Sequence, residues 1–515
     1  MPTARESQDA AMTSEGFGGS METELAAPLP ETEGEIPVAP QDLSQEDYEL
    51  INDNPFFLAK TQPLSTFAID VDTAAYSNVR RFLNDGMLPP ADAVRIEEMI
   101  NYFNYDYPQP TDDKPFSITT ELSEAPWQPQ HQLVKIGIQG RDIESEVLPP
   151  SNLVFLFDVS GSMNEPNKLP LLKSAFRLLV NELRPEDKVA IAVYAGSSGL
   201  VLPATPGSEK DTILAALDSL EAGGSTAGGE GIELAYKEAI NNLIEGGNNR
   251  IILATDGDFN VGVSSDAELV RLIEKKRDQG VFLTVLGFGS GNLKDSKMEQ
   301  LANKGNGNYA YIDSILEAKK VLVTEMGATL LTLAKDVKIQ VEFNPSQVQA
   351  YRLIGYENRL LAAQDFNDDT KDAGELGAGH SVTALYEIVP AGIDSPVDLP
   401  QIDELKYQAT QTPTADFGNE LMQLKLRYKQ PNGDTSELIS QAIANQSKPL
   451  ASASDDFRFA AAIAEFGMLL RESPYSGESS FDEVLTLAKN AKGDDLEGYR
   501  SEFIRLVETA QALKF

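Results

Sequence analysis

Three short segments of this 515-residue chain carry oxygen donors in an order that suits a hard cation. The first, Asp158-Val159-Ser160-Gly161-Ser162, closes an apolar run that begins at Leu153. The second, Gly223-Gly224-Ser225-Thr226-Ala227-Gly228, holds Thr226 between glycines, and the third, Thr255-Asp256-Gly257-Asp258, closes another apolar run. The carboxylates of Asp158 and Asp256 and the hydroxyls of Ser160, Ser162 and Thr226 suit a cation that prefers six oxygens, Mg²⁺ or Mn²⁺, with Ca²⁺ as a further occupant. If Asp256 acts through water, the shell carries little charge and the metal keeps an open position. A carboxylate from a partner then completes the octahedron, so the pattern predicts metal-dependent binding of an Asp or Glu side chain. DxSxS alone arises by chance in serine-rich loops. Its weight comes from the glycine-flanked threonine and the strand-ending Thr-Asp-Gly that follow in order. The competing structural reading is a set of Asx and Ser turns that cap helices.

Other segments invite sharper chemistry and support it less. Asp70-Val71-Asp72-Thr73 fits the DxDxT pattern in which one aspartate attacks a phosphoryl group and the other serves as acid and base beside Mg²⁺. The apolar run ahead of it is short, and no parallel-sheet pattern surrounds it. A turn with an aspartate capping the helix that starts near Tyr76 is the structural alternative. Gly287-Phe288-Gly289-Ser290-Gly291 lacks the full dinucleotide fingerprint, and the Gly223–Gly229 loop lacks the lysine of a phosphate-binding loop. The acidic run Asp365 to Asp372 lacks EF-hand spacing and reads as a solvated loop. His131 and His380 stand alone in sequence, which leaves no Ser-His-Asp arrangement to argue and excludes a multi-histidine metal site.

The elements around the donors must bring three distant loops to one place. Near-continuous apolar runs begin at Leu153, Val189, Arg250 and Val281, as strands buried on both faces of a parallel sheet do. Between them lie amphipathic stretches, such as Leu172, Ala175, Phe176, Leu179, Val180 and Leu183 at three- and four-residue steps. Strand, helix and strand in repetition predict a doubly wound, Rossmann-like α/β domain over 151–334, ending after a helix near Ala334. In such sheets ligands bind beyond the carboxyl ends of the strands, where the strand order reverses. Period-two alternation flanks this unit on both sides. Val134, Ile136 and Ile138 precede it; Val337 to Phe343, Val382 to Ile388 and Met422 to Tyr428 follow, with Pro431-Asn432-Gly433-Asp434 as a hairpin signal. The expectation is that 51–150, β-rich with a short helix over Val94–Phe103, pairs with 335–450. The α/β domain is then inserted in a β-sandwich-like domain, and 451–515 forms a helical C-terminal region.

Composition sets outer limits. With 42 Lys+Arg against 80 Asp+Glu the net charge is −38, which disfavours nucleic acid and anionic lipid as main partners and draws divalent cations. The absence of cysteine removes disulfides, thiolate metal sites and a thiol nucleophile. No run of eighteen apolar residues suggests a bilayer span. Residues 1–50, with Arg5 their only basic residue, read as a disordered acidic tail.

Residues 152–334 resemble a von Willebrand factor A (VWA) domain, whose adhesion motif is matched at Asp158, Ser160, Ser162, Thr226 and Asp256. Segments beyond it, among them FAIDVDTAAYSNVRRFLNDGMLPP, DVKIQVEFNP and YRLIGYENR, resemble a bacterial family of the YfbK type. That resemblance implies a protein of ill-defined role at the cell envelope or periplasm, often held by a lipid anchor; the donor pattern itself predicts a non-enzymatic protein-binding module. No signal or lipid-accepting cysteine is present here, so the expectation is either a start downstream of the natural one or a cytoplasmic protein. The enzymatic alternatives are the phosphatase built on Asp70 and Asp72, or a regulatory subunit that serves an ATPase or chelatase.

Overall fold

The computed structural model describes residues 46–514 except 144–147, 225–227, 258–265, 326–330, 372, 398, 401–416 and 432. Strands and helices are numbered in chain order. The expected tail lies outside the described residues up to 45. Two residues of its described end are tied to the fold: the Asp47 amide donates to Leu293 O at 2.9 Å, and Glu46 pairs with Arg81 at 2.8 Å.

The apolar runs form the expected central sheet. Its strands are β5 (Ser151–Asp158), β6 (Lys188–Tyr194), β7 (Ser198–Pro206), β8 (Asn248–Thr255), β9 (Phe282–Phe288) and β10 (Tyr309–Ile312), in the order β10-β9-β8-β5-β6-β7. All neighbours are parallel except β6 and β7. Both faces are covered, which explains the unbroken apolar runs. Leu153, Phe155 and Phe157 of β5 share a core with Leu172, Phe176 and Leu179 of α3 (Leu169–Glu182). Val154 and Leu156 share another with Ile232, Ala235 and Tyr236 of α5 (Gly228–Asn241). From β5 the chain passes to β6 on one side and later to β8 on the other, so the order reverses between β5 and β8.

Two antiparallel sheets stand beside this unit. One runs β1 (Phe57–Leu58), β12 (Val348–Ile354), β14 (Ser381–Pro390), β4 (Gln128–Gly140), β3 (Phe116–Ala125). The other holds β13 (Leu376–Gly377), β11 (Thr332–Phe343), β15 (Glu420–Lys429) and β16 (Ser436–Ala444), with β2 (Leu64–Ala68) on β11. Strands from before and after the α/β unit pair directly: Ile136 of β4 faces Ala384 of β14, and Phe67 of β2 faces Ile339 of β11. One apolar core draws on both sheets, through Val134, Ile136 and Tyr386 from the first and Ile339, Leu424 and Leu426 from the second. β15 and β16 pair antiparallel up to Lys429 and Ser436, around the expected turn whose Asn432 lies outside the described residues.

Two boundaries differ from expectation. Among the described residues the last helical ones after β10 are 315–324, and Ala334 already lies in β11, in the strand period of Val337, Ile339 and Val341. The short helix is trimmed to α2 (Ile96–Asn101). At the C-terminus, α9 (Asp455–Arg471), α10 (Phe481–Asn490) and α11 (Tyr499–Lys514) form the expected helical region. Phe459, Ile463, Phe466 and Phe503 pack there with Tyr76 and Val79 of α1 (Ala74–Asn84) and Met99 of α2. No helix among the described residues is long and apolar enough to cross a membrane.

Candidate metal centre

Parallel register sets Phe157 of β5 against Ala254 of β8, so Asp158 and Thr255 leave the sheet side by side at its carboxyl edge. Asp158 is fully buried. Its Oδ1 accepts the Ser160 amide at 2.9 Å, and its Oδ2 accepts the Thr255 hydroxyl at 3.3 Å. That Asx-type turn folds the loop back on the strand end. Ser160 Oγ and Ser162 Oγ then lie 3.0 Å apart, with Ser160 buried and Ser162 exposed at the mouth. The second loop is stitched to the first through Gly223 N to Val159 O (2.8 Å) and Gly161 N to Gly224 O (3.1 Å). Thr226, two residues further on, lies outside the described residues.

Asp256 is also fully buried. The turn after it is close-packed: Gly257 has φ +101°, and a Cβ there would lie 2.6 Å from Lys294 N and 2.7 Å from Asn292 O. Only glycine combines that φ with that approach. Asp256 Oδ2 accepts from Lys168 Nζ at 3.0 Å, a contact that no motif in the sequence signals.

The two carboxylates are driven apart electrostatically. Burial pushes Asp158 up to about 6, and the neighbouring Asp256 charge adds to this against the Ser160 hydrogen bonds. Burial also raises Asp256, but hydrogen bonds from Ser162 and the Lys168 ammonium outweigh it and hold that group below the usual carboxylate range. Four of the five expected donors therefore converge in one acidic, all-oxygen recess that already holds a cationic side chain. Such a donor set fits a hard divalent ion.

The DxDxT pair sits elsewhere and differently. Asp70 and Asp72 follow β2, a strand whose partner β11 is antiparallel, so no parallel-sheet edge presents them. Asp72 accepts the Tyr309 amide at 2.7 Å and pairs with Arg359 at 3.3 Å. The expected aspartate cap on α1 is absent; the Ala75 amide donates instead to Glu98 Oε2 at 2.8 Å. Carboxylate oxygens of Asp72, Glu98 and Glu299 lie within 4.8 Å of one another, interleaved with two guanidinium groups. Arg95 reaches Asp295 (2.6 Å) and Glu299 (2.9 Å), and Arg359 reaches Glu299 (2.7 Å).

His131, which sequence separation leaves isolated, stands between Ser395 Oγ (2.8 Å at Nε2) and Glu387 Oε1 (2.6 Å at Nδ1). The series has the order of a hydrolytic triad without its other parts. Glu387 is shared with Arg352 at 2.7 Å, the imidazole is fully buried, and Pro396 after Ser395 has no amide to stabilise an oxyanion. It closes a polar seam in the antiparallel sheet.

The sheet order, the switch-point loops and the oxygen donors together define a von Willebrand factor type A domain protein. The family profile "von Willebrand factor type A domain" matches residues 152–323, "von Willebrand factor" matches 42–135, and "Uncharacterized protein YfbK, C-terminal" matches 328–513. The chain belongs to the YfbK family: it is 46% identical over 476 residues to "Uncharacterized protein YfbK" of Escherichia coli K12, covering 90% of this chain and 81% of that protein. Among solved structures, a von Willebrand factor type A protein from Catenulispora acidiphila aligns over 77% of this chain and 91% of its own, at 15% identity and a TM-score of 0.39. A mussel byssus protein, proximal thread matrix protein 1 with a zinc-occupied MIDAS motif, aligns over 36% of this chain and 46% of its own, at 25% identity and a TM-score of 0.30.

Proposed function

We propose that the chain is a non-enzymatic, metal-ion-dependent module that binds a protein partner through an acidic side chain. The observation that carries this reading is the convergence of Asp158, Ser160, Ser162 and Asp256 at the reversal point of the central sheet. Asp158, Ser160, Ser162, Thr226 and Asp256 would hold Mg²⁺, Mn²⁺ or Ca²⁺. A bound ion would supply a Lewis-acidic position for one partner carboxylate. The chain's own part is to hold the donors: the Asp158 turn orients the two serines, and Lys168 fixes Asp256. Exposure of Ser162 leaves the mouth open to a protein surface. In this reading 151–334 is an insert in a β-rich unit made by 51–150 and 335–450, and the protein works at the cell envelope.

Calorimetric titration with Mg²⁺ or Mn²⁺ tests the site. Wild type is expected to bind and Asp158→Ala is not; equal binding by both would falsify it. A pull-down in Mn²⁺ against EDTA tests the partner, which should be recovered only with metal. If a phosphatase instead, the protein would show activity lost in Asp70→Asn; none is expected, because both guanidinium pairing and the antiparallel frame occupy that pair.

A further inference from the structure

Lys168 stands at the N-cap of α3 with 5% of its side chain exposed, its ammonium on Asp256. Two physical preferences oppose that position. Burying an ammonium is costly, and the positive end of a helix dipole repels a cation. The chain nevertheless makes room for it. Gly289 has φ +76°, and a Cβ there would lie 2.4, 2.5 and 2.9 Å from Lys168 Cε, Cγ and Cδ. The Tyr311 hydroxyl donates to Gly289 O at 2.6 Å and holds that cradle in place.

We propose that Lys168 is a built-in counter-charge that weakens metal binding and strengthens binding of the acidic ligand. The inference rests on the metal-site reading above. Asp158 and Asp256 together balance the charge of a divalent ion, so that only its open coordination position is left to draw a further carboxylate. Lys168 adds one positive charge, so the loaded site attracts an anion. In the empty site the same ammonium offsets Asp256, which keeps two buried carboxylates from repelling each other unchecked. Lys168 thus acts through Asp256 as a positioning and charge-setting residue.

The test is a Mn²⁺ titration of the full chain as wild type, Lys168→Met, Lys168→Gln and Asp158→Ala, with melting in EDTA read alongside. Both lysine variants are expected to bind Mn²⁺ at least about tenfold more tightly, the order of one nearby charge acting on a divalent ion through a water-like dielectric, and to melt lower in EDTA. With Mn²⁺ saturating, acetate serves as the carboxylate probe, read by Mn²⁺ water-proton relaxation, and should bind the lysine variants more weakly. Lysine as mere packing would leave Mn²⁺ affinity unchanged or reduced. Either result overturns the inference while Asp158-dependent Mn²⁺ binding still stands. Absence of Mn²⁺ binding in wild type and lysine variants alike overturns the metal site with it. Lys168→Gln retains a hydrogen-bond donor for Asp256 and carries the test if Lys168→Met does not fold.

Discussion

Two regions of this molecule bury carboxylates, and they solve the same electrostatic problem in opposite ways. Near α2 and α7 (Asp295–Lys304), Asp72, Glu98, Asp295 and Glu299 are locked by the planar forks of Arg95 and Arg359 and by the backbone amides of Ala75 and Tyr309. At the sheet edge, Asp158 and Asp256 meet the Ser160 amide, hydroxyls and the Lys168 ammonium. The larger cluster has more acidic groups, yet its guanidinium groups already provide the cations. The smaller one keeps oxygens that rotate and a mouth open at Ser162. Counting carboxylates therefore misleads; what matters is whether their partners are fixed. The first region joins β2, α1, α2 and α7 as structure, and the second is suited to bind.

The largest contrast should appear on breaking the first cluster. Arg95→Met leaves Asp295 buried without its cation and Glu299 with Arg359 alone, and is expected to cost about 3–5 kcal/mol in urea unfolding. A loss below about 1 kcal/mol would remove the distinction drawn here. The same cluster should contribute to the pH dependence. Burial pushes Glu98 up to about 8, against the attraction of Arg95 and with added repulsion from Glu299 and Asp295. A carboxyl raised above its unfolded value keeps its proton in the fold while the unfolded chain releases it. Stability from this group is thus present at low pH and falls as pH rises from about 4.5 to about 8. Urea midpoints across that window should decline in wild type and decline less in Glu98→Gln.

Smaller effects belong to the sheet edge. Gly289→Ala should cost about 1–2 kcal/mol from left-handed backbone strain, read as a lower melting temperature. It should also disturb Lys168, so Mn²⁺ affinity should shift with it. Asp158→Asn should change stability in EDTA least, by about 1 kcal/mol or less, since the amide oxygen can still accept from Ser160. A loss as large as that of Arg95→Met would mean the edge carboxylate is structural after all.

Much of this was legible because local periodicity reports burial. The runs from Leu153, Val189, Arg250 and Val281 are strands covered on both faces, and alternation at Val134 to Ile138 and Val382 to Ile388 marks strands that turn one face to a core. The placement of Asp158, Ser160, Ser162 and Asp256 at the carboxyl edge of the sheet was legible as well, since a strand end followed by a tight turn is a local feature. Thr226 keeps its place in that pattern from sequence alone.

Contacts across long stretches of chain were not legible. Nothing near Lys168 indicates Asp256, and nothing near His131 indicates Glu387 or Ser395; only the packing of α3 against the β8 edge and of β4 against β14 creates those pairs. The DxDxT segment shows the same limit in reverse: a local pattern rich in chemistry is overruled when its strand pairs antiparallel and Arg359 arrives from 287 residues away. By itself the sequence determined which elements form and which loops carry oxygen donors, because backbone period and turn chemistry are set by near neighbours. Only the tertiary structure decided which buried charges have partners, because a counter-ion's value depends on distance in space and on the water excluded around it.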